Sequence, residues 1–355
     1  MVIMRTIMLI DMDYFFVACE EIKRPELKTR PTIVGAEPKD GRGRGVVMTC
    51  NYVARKFGIH SAMPISMAYK IKPDAEYLPM DYSYYEKKSS EVLAIIREFA
   101  SPVEQVSIDE FFINLSNNIT TYDEAIASAE RIQKAIKERA KLPCSIGISN
   151  TKVVAKMACE KAKPNGIKLV KEEEVKNFLA ILPVGELYGV GKKTEEKLLA
   201  MGCKTIGELA KANIMELMDA FGSFGVELRN SANGIDENEV VENYEIKSMS
   251  KEYTFEHDTK KAEDVIKSIN DLSAQLTKDL NAKSLSFKVV TLKLRYSDFT
   301  EHLHSQSIRS TNNTREISKT AVELYKKNAD KLKKVRKLGV RVSGFTDYKS
   351  QKRLF

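Results

Sequence analysis

The chain has 355 residues, 43% of them hydrophobic, which is enough for more than one core and suggests about two to three domains. The formal net charge of +8 is unevenly placed: residues 1–246 hold 33 Lys+Arg against 36 Asp+Glu, while residues 247–355 hold 24 against 13. A folded segment that basic is the footprint of a polyanion binder, with nucleic acid the first candidate. The N-terminal apolar run is short, contains Arg5 and ends in Asp11, so it reads as neither a signal peptide nor a span, and no membrane partner is expected. The five cysteines are scattered without a Cys-x-x-Cys pair, which argues for a reducing, intracellular setting without a zinc site or disulfide framework. His302 and His304 can share one face of a strand, but two ligands alone read as surface residues.

In chain order, a buried strand is expected near residues 5–11, then a loop rich in Gly, Lys and Arg at Pro38–Gly45. Val46 to Met48 read as a strand and Asn51 to Phe57 as the start of a helix. From 82 to 170 the pattern runs helix, strand, turn, strand, helix, strand, helix. Within it, Ile126, Ala129, Ile132 and Ile136 recur at helical spacing behind a capping box of Thr121 and Glu124, and Ser145–Ser149 is a short β run. With the first strand this makes a βαββαβ unit that sets Asp109 and Glu110 at a hairpin beside the end of strand one.

Residues 171–234 read as helical, with Gly189-Val190-Gly191 ahead of a helix at Glu195–Met201 and a weaker glycine turn at Phe221–Gly225. Glycines at a helix start let backbone N–H groups approach a phosphate, as in a helix-hairpin-helix; an ordinary αα turn has the same spelling. Asn233–Glu239 reads as the beginning of a linker. Beyond it, a helix is expected over Ala262–Leu280, and Lys288–Tyr296 alternates polar with apolar residues, turning Lys293 and Arg295 toward a ligand such as DNA backbone. Ser305–Arg309 and Leu338–Val342 read as strands. The basic run Lys331–Lys337 fits either a solvated helix face or part of the polyanion site.

Two acidic stretches carry the chemistry. Thr6–Phe16 reads TIMLIDMDYFF and Val106–Ile113 reads VSIDEFFI, and in each the carboxylates follow a β-branched and apolar run of the kind that forms a buried strand. Ionised carboxylates next to a core are costly unless a cation neutralises them, and several together read as a hard-cation site, most naturally Mg²⁺ with oxygen ligands and substrate phosphates. A pair of such ions about 3.5–4 Å apart serves nucleotidyl transfer.

Together with Gly45–Pro64 (GVVMTCNYVARKFGIHSAMP) and Ala162–Gly166 (AKPNG), these stretches resemble the Y-family DNA polymerases of the lesion-bypass, DinB or polymerase IV type, in order and spacing, from about residue 5 to about residue 345. The resemblance implies an α+β multidomain, right-hand polymerase. Its ferredoxin-like palm would span 1–14 and 82–170, its small fingers 15–81 and its helical thumb 171–234. A linker at 235–246 would lead to an α+β little finger at 247–345, a four-stranded sheet backed by two helices, and a tail at 346–355. It implies template-directed DNA synthesis of low processivity past damaged bases by a monomer in the cytoplasm, associated with the nucleoid. Primer–template DNA and dNTP would be its partners. Asp11, Asp109, Glu110 and the carbonyl of Met12 would hold two Mg²⁺ ions, with Mn²⁺ a possible substitute, and Glu110 would lie nearest the primer hydroxyl. Asp13 is expected to serve local hydrogen bonding instead.

Thr49, Tyr52, Arg55 and Lys163 match the family's triphosphate positions, where two hydroxyls, a forked guanidinium and an ammonium suit phosphate oxygens. Phe16 matches the steric gate against a ribose 2′-hydroxyl, with Tyr14 beneath the sugar; Val46 and Met48 match the roof over the nascent base pair. Gly189 and Gly191, with Lys293 and Arg295, would touch DNA backbone. Gln351–Phe355 resembles a sliding-clamp-binding tail. Two other readings keep the acids in view: a nucleotidyl cyclase, which has no use for a basic DNA grip, and a DNA-binding scaffold without activity, which has no use for the three acids.

Overall fold

A computed structural model describes residues 5–242 and 245–347. The chain divides into two units, residues 1–243 and 244–355. The first unit opens with strand β1 (Ile7–Met12) and helix α1 (Phe15–Lys23), followed by β2 (Thr32–Gly35), β3 (Val47–Cys50), α2 (Tyr52–Arg55), α3 (Ile65–Ile71) and β4 (Glu76–Leu78). Next come α4 (Tyr82–Arg97), β5 (Val103–Gln105), β6 (Glu110–Asn114), α5 (Tyr122–Ala135), β7 (Cys144–Ser149), α6 (Lys152–Ala162) and β8 (Ile167–Leu169). Five helices close the unit: α7 (Val175–Ala180), α8 (Lys192–Ala200), α9 (Ile206–Lys211), α10 (Ile214–Phe221) and α11 (Ser223–Ala232).

The central sheet has the order β5-β6-β1-β7-β8, and β1 lies antiparallel to both of its neighbours. All six residues of β1 are buried because both faces of the sheet are covered. Met8, Ile10, Phe111, Ile113, Ile146 and Ile148 face a core completed by α4 and α5; Ile7, Leu9 and Phe112 face Ala155 and Cys159 of α6. The expected capping box is present at α5, where Thr121 Oγ1 accepts from Glu124 N and Glu124 accepts in return. The helix that carries Ile126, Ala129 and Ile132 is α-helical to Ala135 and finishes in a π turn, Ile136–Ala140, as the chain swings into β7.

A smaller sheet, ordered β3-β2-β4, carries α2 and α3. The helix expected at Asn51–Phe57 is a single turn. Its anchor is Asn51, 2% exposed, whose Oδ1 caps Ala54 N at 3.0 Å and whose Nδ2 donates to Arg30 O at 2.9 Å. The glycine turns of the helical segment behave as spelled: Gly189 has φ +91° ahead of α8, whose N-cap is Gly191, and Gly222 has φ +63° where α10 meets α11.

A linker is expected at 235–246, but its first part is strapped onto the central sheet. Arg5 Nη1 and Nη2 donate to Asp236 O at 2.7 Å and Asn238 O at 2.8 Å. Buried Glu104 accepts from Lys152 Nζ at 2.6 Å and from Val241 N at 3.0 Å, and Val240 joins the core beside Ile7 and Leu9. The acidic side chains attach it as well, Asp236 Oδ2 accepting from Val153 N at 3.2 Å and Glu242 pairing with Arg97 at 2.6 Å, so acidity here marks attachment and not a free linker.

The second unit contains β9 (Ser248–Thr259), α12 (Ala262–Ala282), β10 (Leu285–Tyr296), β11 (Glu301–Thr311), α13 (Thr314–Asn328), β12 (Val335–Ser343) and the short β13 (Thr346–Asp347). Its sheet is ordered β11-β10-β12-β9, and α12 and α13 supply the residues that bury one face: Val265, Ile269, Leu276 and Ile317 against Leu292, Leu294 and Val340. The basic run 331–337 is not a helix; it turns and enters β12 at Val335, since Leu338, Val340 and Val342 are the buried alternate positions of a strand. The expected tail motif Gln351–Phe355 lies outside the described residues.

Candidate active site

In the antiparallel register of β1 and β6, Asp11 stands directly opposite Glu110, so both side chains leave the sheet on the same face. That is the face covered by α6. Gly147 in the middle of β7 makes the cover tight, for a Cβ there would collide with the backbone of Ala155 and Cys159. The close approach brings Lys156 and Glu160 of one face of α6, and Lys163 just past its end, over the end of β1.

The result is a compact cluster of charge. Lys163 Nζ lies 2.9 Å from both Asp11 Oδ2 and Glu160 Oε1. Lys156 Nζ lies 3.3 Å from Asp11 Oδ2 and 3.0 Å from Glu160 Oε1, and it also bonds Glu110. Carboxylate oxygens of Asp11, Glu110 and Glu160 all fall within 4.8 Å of one another. Asp109 is adjacent: its carbonyl accepts from Met12 N at 2.9 Å and its Oδ1 from Ser107 Oγ at 2.6 Å. Four carboxylates thus meet two ammonium groups, an excess of negative charge with only oxygen donors, which fits a hard divalent cation. Asp13 is differently employed. It is 1% exposed and accepts from Ser145 Oγ at 2.9 Å and Asn165 N at 2.7 Å, tying the Lys163-Pro164-Asn165 turn to the sheet.

Electrostatics follow from burial. Desolvation pushes the Asp11 carboxyl up to about 6, against the downward pull of Lys163 and Lys156. Burial also raises Asp109, while the Ser107 hydrogen bond opposes it. For Lys156 and Lys163 burial favours the neutral amine, but Asp11 with Glu110 or Glu160 outweighs it and holds both above their ordinary value.

The residues expected around a nucleotide gather in the first unit. Thr49 is buried in β3, and the Arg55 guanidinium lies 4.8 Å over the Tyr52 ring, with Nε donating to Cys50 O at 3.3 Å. Tyr14 meets Tyr52 edge-on at 5.4 Å, linking this group to the end of β1. Its backbone is left-handed (φ 37°, ψ 46°), and this tight corner starts α1 and aims Phe16. The Phe16 ring packs on Tyr85 at 4.8 Å, and Tyr85, fully buried, donates to Glu20 Oε1 at 2.9 Å. Val46, 39% exposed, bridges to Pro64, and Met48 lies two residues on along the strand. Gly189 and Gly191 are open, with nothing within 4 Å of an added Cβ. Lys293 and Arg295 belong to the second unit and are engaged by Glu252 and Glu301.

A family model described as the impB/mucB/samB family matches residues 10–160, the model of its C-terminal domain matches 246–354 and that of its HHH motif matches 172–202. DNA polymerase IV 2 of Methanosarcina mazei is 40% identical over 96% of this chain and 92% of its own length. DNA polymerase IV of Streptococcus pneumoniae is 36% identical over 96% and 97%. A solved Y-family DNA polymerase chimera of Dbh and Dpo4 superposes with a TM-score of 0.88 at 26% identity, covering 96% of this chain and 99% of its own. The chain belongs to the Y-family DNA polymerases, of the DNA polymerase IV type. DinB from Sulfolobus solfataricus, at 25% identity and a TM-score of 0.64, shares the same α+β multidomain fold.

This Y-family polymerase is a DNA-directed DNA polymerase of the translesion class, and its family depends on a divalent cation. Among the described residues, no helix is long and apolar enough to cross a membrane. The motif reading missed Lys156 and Glu160. Their signal was the i, i+4, i+7 spacing with Lys163, which shows one face of a helix but not what that face meets.

Proposed function

We propose that Asp11, Asp109 and Glu110, with the carbonyl of Met12, would hold two Mg²⁺ ions, and that the reaction is attack of the primer 3′-hydroxyl, as it loses its proton, on the α-phosphate of a deoxynucleotide with departure of pyrophosphate. The observation that carries this is the cross-strand pairing of Asp11 with Glu110 beside Asp109, in a cluster whose acids outnumber its lysines. Bound cations, Mg²⁺ or Mn²⁺ in its place, supply charge neutralisation at the attacking and departing oxygens. Glu110, less buried than Asp11, borders the space where the primer end would lie. Lys156 ties Asp11, Glu110 and Glu160 together and fixes their mutual orientation.

Thr49, Tyr52, Arg55 and Lys163 receive the β- and γ-phosphates, with Lys163 close enough to Asp11 to join phosphate to metal ligand. Phe16, braced by Tyr85, excludes a ribose 2′-hydroxyl, and Tyr14 lies beneath the sugar. Residues 1–14 and 82–170 act as palm, 15–81 as fingers, 171–234 as thumb and 247–345 as little finger. Gly189 and Gly191 offer backbone N–H groups to DNA phosphate. One similar structure is an insertion ternary complex of a DNA polymerase, which supports primer–template DNA and dNTP as partners here.

The enzyme works as a monomer of low processivity on nucleoid DNA in the cytoplasm, with the terminal Gln351–Phe355 as a clamp-binding tail. Val46 and Met48 fill the roof enough to favour abasic sites and slim adducts over linked pyrimidine dimers, since extra methylenes in a packed pocket cost about 1–3 kcal/mol. Primer extension on undamaged, abasic and dimer templates with dNTP and Mg²⁺ tests the reading. Template-directed extension is expected, weakest across the dimer and improved there by Val46→Ala with Met48→Ala. Consumption of nucleotide without a template would point to a cyclase, and no turnover at all to a scaffold.

A further inference from the structure

The second unit's sheet has one face packed on α12 and α13 and one open face. The register fixes which side chains stand on the open face. Across the four strands one row reads Ser305, Thr291, Arg341 and Ser250, the next Leu303, Lys293, Gly339 and Glu252, and the next Glu301, Arg295, Lys337 and Thr254. Hydroxyls surround Arg341, which is exposed. One end of the face is different: two carboxylates are set among three cations. Lys293 Nζ sits 3.1 Å from Glu252 Oε1 and 3.1 Å from Glu301 Oε1. Arg295 grips Glu301 Oε2 through Nε at 2.8 Å and Nη2 at 2.6 Å, and Lys337 bonds Glu252.

This arrangement is charge spent inward. The unit holds its basic excess, yet the three cations best placed on the sheet's open face are each already satisfied by a carboxylate. Burial favours the neutral form of Glu252 and Glu301, but the neighbouring cations outweigh it and hold both acids ionised well below neutral pH. Such partly exposed pairs contribute little to folding, so stability gives them no evident purpose. Their effect on a polyanion is larger. A phosphate approaching Lys293 meets a carboxylate on either side, and must compete for a cation that has lost its counter-ion deficit.

We propose that Glu252 and Glu301 form a carboxylate clasp that masks Lys293, Arg295 and Lys337 and so limits the grip of this sheet on the phosphate backbone of duplex primer–template. The clasp is a restraint on affinity and on the number of nucleotides added per encounter, while Arg341 and the exposed hydroxyls of Ser305 and Ser250 make the unmasked contacts. The inference rests on the proposed DNA-binding role of this unit.

The test measures affinity of the full chain for a primer–template duplex across a range of salt, for wild type, Glu252→Gln, Glu301→Gln, the double variant and Arg341→Ala. Glutamine keeps the shape and removes the charge. Each freed phosphate contact should steepen the slope of log K against log salt by about 0.9, so the double variant, which frees all three cations, should steepen it by up to about 2.7. Near about 0.1 M salt that corresponds to several-fold tighter binding per substitution, with longer products per binding event. Arg341→Ala should flatten the slope by about 0.9. Unchanged or shallower slopes in the glutamine variants, with wild-type binding intact and Arg341→Ala weakened, would overturn the clasp alone. That result would mean the carboxylates orient the cations or lie off the DNA path. A wild-type chain whose duplex affinity ignores salt would instead overturn the DNA-binding role on which the clasp depends.

Discussion

Burial raises the Asp11 carboxyl to about 6, so protons and cations compete for it close to neutral pH. The sign follows from linkage. A raised folded-state value means the folded chain binds this proton more tightly than the unfolded chain, whose carboxyl titrates near its ordinary 3.8. Ionising Asp11 therefore costs stability; the cost is absent below about pH 4 and complete above about pH 6. A divalent cation relieves that cost only where the carboxyl is ionised. The rise in melting temperature on adding Mg²⁺ should be large at pH 7.5 and shrink as pH falls through about 6. An equal rise at pH 5 and pH 7.5 would remove Asp11 from the cation site. At the same scale, Phe16→Ala should relax the preference for deoxy- over ribonucleotides by about tenfold or more, read as a ratio of kcat/KM values. Tyr85→Leu, which takes away the ring behind Phe16, should relax it part of the way, and Tyr85→Phe, which keeps the ring, less still. Discrimination untouched in Phe16→Ala would place the gate elsewhere.

At the scale of elements, the site depends on how α6 lies on β7. Gly147→Ala should force the helix off the sheet, with about 1–3 kcal/mol lost to overpacking. Because Lys156 and Glu160 ride on that helix face, and Lys163 just past its end, extension should fall more than the folded fraction does. Urea unfolding and single-turnover insertion on the same samples separate the two effects. Parallel losses would make Gly147 a packing residue only. The strand carrying Asp11 was legible because its apolar run ends abruptly in acid, whereas Glu110 opens its strand and the apolar run comes after it; the capping box at Thr121 was legible because it is local. Lys156 and Glu160 were not, since helical spacing tells which side chains share a face and only the Gly147 contact tells where the face points. The strap at 235–242 was hidden for a related reason: its attachments to Arg5 and Glu104 are long-range and made largely through backbone. Glu252 and Glu301 lie far apart in sequence, and only strand register across β9, β12, β10 and β11 brings them to the same lysine.

For the whole molecule, the division of charge along the chain matches the proposed division of labour between chemistry and DNA grip. The first unit is close to neutral and brings four of its acids together at the end of β1; the second carries the basic excess on a different fold. Chemistry and grip should therefore separate under mutation. The most direct measurement is paired: primer extension and primer–template affinity, determined together for wild type, Asp109→Ala and Glu110→Ala in the presence of Mg²⁺. Loss of these oxygens should lower extension by at least about 10²–10³-fold, the scale of a removed transition-state partner, while duplex affinity stays within about twofold of wild type. Extension near the wild-type rate in either variant would contradict the assignment of the acidic cluster as the catalytic centre.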